Sequence, residues 1–256
     1  IIMALKVGIN GFGRIGRMVL RSIIETNRKD LEIVAINNRG NNEVSSFLLK
    51  HDTVHGELKT KISYSEKSIE VNGKKIGMMH ETEISKIDWK KYKVDVVLEC
   101  TGKFNTKEKS SQHINSGAKK VIVSAPCKGA INAIFGVNEK SLKSSDKVIS
   151  AASCTTNCLA TVAKVLNENF GIERGFMTTI HSYTTDQRLL DNSHKDLRRA
   201  RSAGQSIVPT STGASKALGE IIPELKGKLE GLAIRVPTPN VSLVDLVFNS
   251  KSKLSV

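Results

Sequence analysis

The sequence has few of the residues that mark special classes of protein. Four cysteines in 256 residues are too few for the disulfide framework of a small secreted domain, and their spacing matches no zinc motif. Free thiols favour a reducing, cytoplasmic compartment, and we expect no metal site. No apolar run approaches the roughly 18 residues that a transmembrane helix needs, so we expect no membrane partner.

Aromatic side chains are also scarce, at 4% of the chain. This argues against the stacking surfaces that bind single-stranded nucleic acids. Basic residues outnumber acidic ones by 39 to 25, which gives a formal net charge of +14. Such an excess fits a nucleic-acid partner, but it equally steers small phosphorylated ligands. We therefore expect no nucleic acid as the primary partner, and a salt titration separates the two cases.

Strand-like and helical patterns alternate over the first 150 residues. Apolar runs predict strands over 6–10, 31–37, 94–99, 120–124 and 133–136, and helical periodicity covers 13–27, 44–50 and 105–116. A hairpin region with an Asn72-Gly73 turn is expected within 59–79. This alternation is typical of an α/β, doubly wound parallel sheet, and we predict such a domain over residues 3–153.

The remainder of the chain, residues 154–256, has a different pattern. A helical segment over 155–169 precedes longer strand-like runs at 175–181, 231–236 and 241–249. A charged segment, 184–205, has few apolar residues, and a loop of about 20 residues in a compact domain is usually functional. We predict a second, α+β domain.

A glycine motif follows the first predicted strand. Gly11, Gly13 and Gly16 form a G-x-G-x-x-G that opens a helix, which is the context of a dinucleotide-binding turn. The free N–H groups and the dipole of that helix favour a pyrophosphate. An ordinary glycine-rich turn is the less favoured alternative.

The second strand ends in Asn37-Asn38-Arg39 instead of the acid that usually binds the adenine-side ribose. Asn38 would tolerate a 2′-phosphate that an acid repels, and Arg39 could bind it with two hydrogen bonds. Arg39 as a solvated loop residue is an equal alternative.

Cys154 lies where the helix of the second domain begins, between Ser153 and Thr155. A thiol at a helix N-terminus has a lowered pKa, and the thiolate is the nucleophile. His181 ends the next predicted strand and could pair with Cys154 as its acid–base partner. Most single histidines are structural, so this pairing needs a second line of support.

Basic residues cluster in the long loop at Lys195–Arg201, and Arg235 follows on a strand. Hydroxyl groups at Thr210, Ser211 and Thr212 come directly after the loop. Guanidinium and hydroxyl groups together make good phosphate sites. A solvated charged face or a nucleic-acid patch is the alternative.

Several segments together resemble phosphorylating glyceraldehyde-3-phosphate dehydrogenase over essentially the whole chain. They are INGFGRIGR at 9–17, SCTTNCL at 153–159, HSYT at 181–184, the cluster at 195–201 and RVPTPNV at 235–241. The resemblance implies a Rossmann dinucleotide-binding domain, a catalytic domain and a homotetramer. It also implies oxidation of a phosphorylated aldehyde, with NAD or NADP as cofactor and inorganic phosphate as co-substrate.

The resemblance also implies roles for individual residues. Cys154 is similar to the nucleophile and His181 to its acid–base partner. Thr184 and Arg235 resemble the site for the substrate's phosphate. The site for inorganic phosphate is expected at Ser153, Thr155, Arg199, Thr212 and Gly213. Further cofactor contacts are expected at Arg14, Ile15, Thr101 and Ser124.

Three features depart from the common pattern of the family. Asn38 replaces the acid of NAD-specific members, and Ser193 resembles the version in NADP-using photosynthetic members. Both favour use of NADP. The chain stops at Val256, so we expect a catalytic domain that is truncated at its C-terminal end. An erythrose-4-phosphate dehydrogenase, which has the same Cys and His, is the nearest alternative enzyme.

Overall fold

The computed structural model describes residues 3–254. It divides into two compact units. The first unit contains the described residues up to Asn132 and Leu142–Ala151, and the second contains Ala133–Ser141 and the described residues from Ala152 onward. The predicted domain limits, 3–153 and 154–256, stay a prediction.

The first unit is built from short strands and amphipathic helices. Its strands are β1 (Leu5–Asn10), β2 (Leu31–Asn37), β3 (His51–Asp52), β4 (Gly56–Glu57), β5 (Ile62–Ser65), β6 (Ser68–Val71), β7 (Lys74–Met79), β8 (Val96–Glu99), β9 (Lys120–Val123), β10 (Ile131–Asn132) and β11 (Val148–Ser150). Its helices are α1 (Arg14–Glu25), α2 (Asn42–Lys50) and α3 (Lys107–Asn115), and Ile84–Lys86 form a short 3₁₀ turn.

The main sheet of the first unit confirms the expected doubly wound architecture. Within the described residues it has nine strands in the order β10-β11-β9-β8-β1-β2-β7-β6-β5. The strands from β10 to β7 are parallel. Strands β5, β6 and β7 form an antiparallel meander, and its β6–β7 turn at Asn72-Gly73 is the hairpin turn expected within 59–79. Neighbours β2, β1 and β8 end in register, which aligns Asn37, Asn10 and Glu99 at the carboxyl edge of the sheet.

Ligands of open α/β sheets bind at this carboxyl edge. The core beneath it contains the fully buried side chains of Ile9 and Ile36 from the two central strands. A second cluster forms around Trp89, which is fully buried with Val97. These apolar side chains fix the strand ends that carry the polar groups.

The second unit confirms the predicted mixture of long strands and helices. It contains α4 (Cys154–Phe170), β12 (Ile172–Ser182), β13 (Val208–Ser211), α5 (Ala214–Ile221), β14 (Leu229–Val236) and β15 (Ser242–Ser250), with 3₁₀ turns at Glu139–Ser141, Leu197–Ala200 and Pro223–Leu225. Its sheet has the order β13-β14-β12-β15. Strands β12 and β14 are parallel, and their register pairs His181 with Arg235.

One predicted strand, at 133–136, is wrong. The strand β10 ends at Asn132, and the chain then turns: the N–H groups of Val137 and Asn138 donate to the Ile134 carbonyl. Gly136 at φ +80° allows this turn. The apolar run at 133–136 therefore reflects burial of Ile134 in the core of the second unit, and not a strand.

None of the helices within residues 3–254 combines the length and apolarity needed to cross a membrane. No group of three or more His, Cys, Asp or Glu side chains in the same range is arranged to hold a metal ion.

Candidate active site

Helix α4 presents Cys154 as its first residue. The Ser153 hydroxyl caps the helix by accepting a hydrogen bond from the Thr156 N–H at 3.0 Å, as N-cap serines do. Ala152, just before the cap, has φ +54°, a conformation that alanine adopts at some cost. Cys154 itself is exposed, so its thiol is available to a small molecule.

The imidazole of His181 lies directly against this thiol. The distance between Cys154 Sγ and His181 Nε2 is 3.2 Å. The hydrogen bond from His181 lowers the pKa of Cys154 against the opposing effect of burial. The pairing that we inferred from the two element ends is therefore present in the geometry, and it favours the thiolate.

Strand β12 holds His181 in a fixed orientation. The side chain is 6% exposed, and its Nδ1 lies 2.7 Å from the Ser182 carbonyl oxygen. Arg235 Nη1 also lies 2.9 Å from Nδ1, so Ser182 and Arg235 hold the ring from one side. Nε2 is the ring nitrogen that faces Cys154.

Arg235 approaches the same imidazole from the adjacent strand β14. Its Nη1 donates to the Ser182 carbonyl at 3.0 Å and lies 2.9 Å from His181 Nδ1 and 3.5 Å from Thr184 Oγ1. Burial and the neighbouring Arg199 lower the pKa of Arg235. The structure thus brings together Thr184 and Arg235, which we expect to bind the substrate's phosphate, within reach of the base.

The other cysteines differ from Cys154. Burial raises the pKa of Cys100 to about 11 and also raises that of Cys127. Cys158 is exposed on α4, one helical turn beyond Cys154. Cys154 therefore combines exposure with a lowered thiol pKa, whereas the pKa values of Cys100 and Cys127 are raised.

Arg199 is held in a network of its own. It pairs with Asp186 and donates to Thr210 Oγ1 from Nε and Nη2 at 3.1 and 2.9 Å. Asp196 lies 3.8 Å from its Nε. Asp186 and Asp196 both lie within ion-pair distance of Arg199, so an anion at this site would compete with them.

The remaining residues of the expected inorganic-phosphate site lie at element starts. Ser153 uses its hydroxyl for the helix cap, and Thr155 is 5% exposed. Thr212 Oγ1 accepts from the Ala214 N–H at 3.2 Å, and Gly213 precedes α5. Their role in binding phosphate stays a prediction.

In the first unit, the glycine motif makes the turn that the sequence predicted. Gly11 has φ +92°, which favours glycine. A Cβ on Gly16 would lie 2.2 Å from the Gly11 carbonyl oxygen, so only glycine lets α1 pack this close to the turn. A Cβ on Gly13 would meet no atom within 4 Å, and the backbone there faces open space at the start of α1.

A cleft at the carboxyl edge of the main sheet begins at this turn. It is lined by Asn10, Gly11, Gly13, Asn37, Asn38, Arg39, Glu81, Thr82, Ile84, Ile87, Cys100, Thr101, Lys103 and Phe104. The open backbone at Gly13 and the helix N-terminus fit the pyrophosphate of a dinucleotide, and the apolar side chains fit a base. The residues present therefore fit the implied cofactor.

Five expected cofactor residues line this cleft, namely Gly11, Gly13, Asn38, Arg39 and Thr101, and four others of the first unit do not. Gly16 and exposed Ile15 lie in α1. Arg14 donates from Nη1 to Asp52 at 2.5 Å, and the Ser124 N–H donates to the Glu99 carbonyl. Contacts from these four stay predictions.

Asn38 and Arg39 both line the cleft, but they differ in their hydrogen bonds and exposure. Asn38 donates to Ser45 Oγ at 3.1 Å, and its carbonyl lies 2.7 Å from His80 Nδ1. Arg39 is exposed. Ser193 belongs to the second unit, where its carbonyl accepts a hydrogen bond from Arg188 Nε at 2.8 Å.

Sequence reasoning missed part of the cleft. Glu81 and Thr82 follow β7, and Lys103 and Phe104 follow β8. The available signal was positional, because residues just beyond the carboxyl ends of parallel strands meet at one edge. Applied to β7 and β8, it would have found all four.

Comparison with known proteins agrees with this geometry. Residues 5–107 match the model for the glyceraldehyde 3-phosphate dehydrogenase NAD binding domain, and residues 153–256 match the model for the C-terminal domain of the same enzymes. The chain is 53% identical to the glyceraldehyde-3-phosphate dehydrogenase of Cereibacter sphaeroides over 255 residues, which cover 99% of the chain and 76% of the relative.

Relatives from other bacteria give the same result. Glyceraldehyde-3-phosphate dehydrogenase from Geobacillus stearothermophilus is 53% identical over 256 residues, 99% of the chain and 76% of the relative. Glyceraldehyde-3-phosphate dehydrogenase 2 from Bacillus subtilis (strain 168) is 52% identical over 99% of the chain and 74% of the relative. The chain belongs to the glyceraldehyde-3-phosphate dehydrogenase family. It spans about three quarters of the length of these family members.

Proposed function

We propose that the chain catalyses the oxidative phosphorylation of glyceraldehyde 3-phosphate to 1,3-bisphosphoglycerate, with hydride transfer to NAD or NADP. Membership of the family supports the activity. The observation that carries the proposal is the 3.2 Å contact between Cys154 Sγ and His181 Nε2. A lowered thiol pKa at an exposed position is what covalent attack on an aldehyde requires.

The side chains of the site account for the covalent steps. The Cys154 thiolate adds to the aldehyde carbon, and His181 Nε2 gives its proton to the oxygen, which forms a thiohemiacetal. A dinucleotide held by the Gly11 and Gly13 turn would supply the acceptor for the hydride that this carbon loses. His181 takes back the hydroxyl proton, so that a thioester remains on Cys154.

Inorganic phosphate then releases the product. A phosphate oxygen adds to the thioester carbon, the C–S bond breaks, and the Cys154 thiolate leaves with the electron pair. A thiolate suits both halves of the reaction because it is a strong nucleophile and a tolerable leaving group. Arg235 and Thr184 hold the substrate's own phosphate in this proposal, and Arg199, Ser153, Thr155, Thr212 and Gly213 surround the inorganic phosphate.

Cofactor choice is part of the proposal. Asn38 offers the rim of the cleft an amide instead of a carboxylate, and the adjacent exposed Arg39 is available to a 2′-phosphate. Ser193 adds a hydroxyl on the long loop. These three residues support use of NADP, alone or with NAD.

We also propose that the chain acts in the cytoplasm as a homotetramer. The long loop supports assembly because it exposes Leu189, Leu190 and Leu197, each at least 74% exposed in the single chain. Exposed leucines grouped on one segment are typical of an interface. The mass in solution, measured by light scattering, tests the assembly.

The activity is tested by following NADH or NADPH formation from glyceraldehyde 3-phosphate, with and without inorganic phosphate. We expect turnover that needs phosphate, and rapid loss of it on treatment with iodoacetamide. Cys154→Ser should lose nearly all turnover because a hydroxyl is hardly ionised near neutral pH, whereas Cys158→Ser on the same helix should retain it.

Two results would contradict the proposal. Equal alkylation of all four cysteines would show that Cys154 is not activated. Turnover of erythrose 4-phosphate in preference to glyceraldehyde 3-phosphate would favour the alternative enzyme, which no observation on this chain supports.

A further inference from the structure

A buried polar network lies beneath the glycine turn of the first unit. Glu99 is 1% exposed and His113 is fully buried. A buried carboxylate is costly unless hydrogen bonds satisfy it. Glu99 is satisfied by groups from three different segments, and none of the expected site residues apart from Thr101 belongs to the network.

The two oxygens of Glu99 hold the two sides of the turn. Oε2 accepts from Asn10 Nδ2 at 2.6 Å, immediately before Gly11. Oε1 accepts from the Thr101 N–H at 2.8 Å and from the Thr101 hydroxyl. Thr101 in turn lies against Gly11, where a Cβ would be 2.8 Å from Thr101 Cγ2.

The third member, His113, completes the set of donors around the carboxylate. Trp89 Nε1 is a donor only, and it lies 2.9 Å from His113 Nδ1. Nδ1 must therefore accept, and the proton of the neutral ring sits on Nε2. That nitrogen lies 3.0 Å from Glu99 Oε2 and donates to it. Both oxygens of Glu99 therefore accept hydrogen bonds.

The network continues to the neighbouring strand. Asn37 Nδ2 donates to Asn10 Oδ1 at 2.8 Å, and Asn37 Oδ1 accepts from the Glu81 N–H at 2.8 Å. Side chains thus join the carboxyl ends of β2, β1 and β8. Asn10, Asn37 and Thr101 also line the cleft, so the network forms its floor.

We propose that Glu99 is a positioning residue for dinucleotide binding, and that Trp89 and His113 keep it in the required hydrogen-bonded state. Glu99 acts through Asn10 and Thr101, which hold the Gly11 turn in the shape that receives a pyrophosphate. The inference rests on the proposed function, because it takes the cleft as the cofactor site.

The substitution Glu99→Gln tests this with almost no change of volume. A glutamine amide would point its NH₂ group at donors, either those of Thr101 or those of Asn10 and His113. We expect the Kd of NAD and of NADP, measured by calorimetry, to rise about tenfold. Alkylation of Cys154 by iodoacetamide, a reaction of the second unit, should keep its rate.

Two further variants separate positioning from stability. Trp89→Phe removes the indole N–H at a residue outside the cleft. We expect this variant to raise the Kd of the dinucleotide, as Glu99→Gln does, and it can be measured even if Glu99→Gln fails to fold. Val97→Ala removes buried volume from the same strand as Glu99 and from the cluster around Trp89. It should lower the melting temperature while the Kd stays unchanged.

The outcomes are distinct. If the wild type binds the dinucleotide and Glu99→Gln has the same Kd, the positioning role is overturned and the proposed function is unaffected. If Glu99→Gln does not fold, an unchanged Kd in Trp89→Phe has the same consequence. An equal loss of affinity in Val97→Ala also overturns it, because general destabilisation would then suffice. Absence of any dinucleotide binding by the wild type overturns both proposals.

Discussion

At the scale of single residues, the reactivity of Cys154 depends on its hydrogen bond with His181. The bond lowers the thiol pKa, and burial of the sulfur works against it. The imidazole is itself held by the Ser182 carbonyl, which fixes the direction of Nε2. This contact supports the proposed roles of Cys154 as nucleophile and His181 as its base.

Replacing His181 by Asn should raise the pKa of Cys154 and slow the reaction. The loss of a positioned acid–base group costs about 10²–10⁴-fold in rate. Because the thiolate is the reactive form, the pH profile of iodoacetamide alkylation should shift to higher pH. His55→Asn, at an exposed histidine of the first unit, is the matched control. An unshifted profile in His181→Asn would make this histidine structural.

Cofactor choice is also decided by single side chains. Asn38→Asp places a carboxylate at the rim of the cleft, where it would repel a 2′-phosphate and accept from the hydroxyls of a ribose. We expect kcat/KM for NADP to fall about tenfold relative to that for NAD. Arg39→Ala should weaken NADP selectively, whereas Arg28→Ala, outside the cleft, should not.

A contrary result is easily recognised. If the wild type shows no activity with NADP at millimolar concentration, Asn38, Arg39 and Ser193 do not select it. The exposed Arg39 would then be a solvated loop residue, as many surface arginines are.

At the scale of elements, helix α4 sets the environment of Cys154, because the helix begins at this residue. Its cap, Ser153, accepts from the Thr156 N–H and lies 2.6 Å from the Thr156 hydroxyl. In the ordered first turn, a hydrogen bond from the Thr155 backbone also lowers the pKa of the Cys154 thiol, as expected for a thiol at a helix N-terminus. Ser153 therefore affects both the stability of α4 and the ionisation of the Cys154 thiol.

Ser153→Ala should lower the free energy of unfolding by about 1 kcal/mol, as the loss of an N-cap usually does. It should also raise the Cys154 pKa, which the pH profile of alkylation measures. Thr106→Ala is the matched control, because Thr106 caps α3 by accepting from the Lys109 N–H at 3.3 Å. Equal profiles in both variants would show that the cap contributes stability alone.

Elements long enough to show several repeats of the apolar pattern could be predicted from the sequence, and very short ones could not. The helix at 154–170 and the strand at 31–37 are close to their predicted limits, because their apolar positions repeat. The strand β10 has two residues, which is too short for any period to show. Its neighbour, the apolar run around Ile134, was predicted as a strand because burial alone gives the same pattern.

Some residues of the candidate site could likewise be predicted from the sequence, and others could not. Cys154 and His181 were found because each stands at the end of a predicted element beside polar residues. The approach of Arg235 to His181 follows from the register of β12 and β14, which sequence patterns do not reveal. Arg199 pairs with Asp186 and Thr210, 13 and 11 residues away, through a loop that has no period.

At the scale of the whole molecule, stability in acid depends on the carboxylates whose pKa is lower in the folded state than in the unfolded chain. Asp52 is the most buried of those in ion pairs with arginine, with a side chain that is 4% exposed. Burial opposes its ionisation, but hydrogen bonds from the His55 and Val54 N–H groups and from Arg14 hold its pKa at about 2. The folded state therefore binds a proton at Asp52 less readily than the unfolded chain does.

This difference sets the pH range in which Asp52 stabilises the fold. The unfolded carboxyl has a pKa of about 3.9, so its contribution is fully present above that pH. It is lost as the pH falls toward the folded value of about 2, because the unfolded chain takes up the proton first. Wild-type stability should thus fall in this range, as urea unfolding at pH 7, 4 and 3 would show.

Asp52→Asn should separate this contribution from the general effect of acid. The variant should lose about 2 kcal/mol of unfolding free energy at pH 7 and should lose less than the wild type on acidification, since its amide does not titrate. Asp88→Asn removes an exposed carboxylate and controls for net charge. Parallel pH profiles for the wild type and Asp52→Asn would contradict the assignment, because both chains would then release the same number of protons on folding.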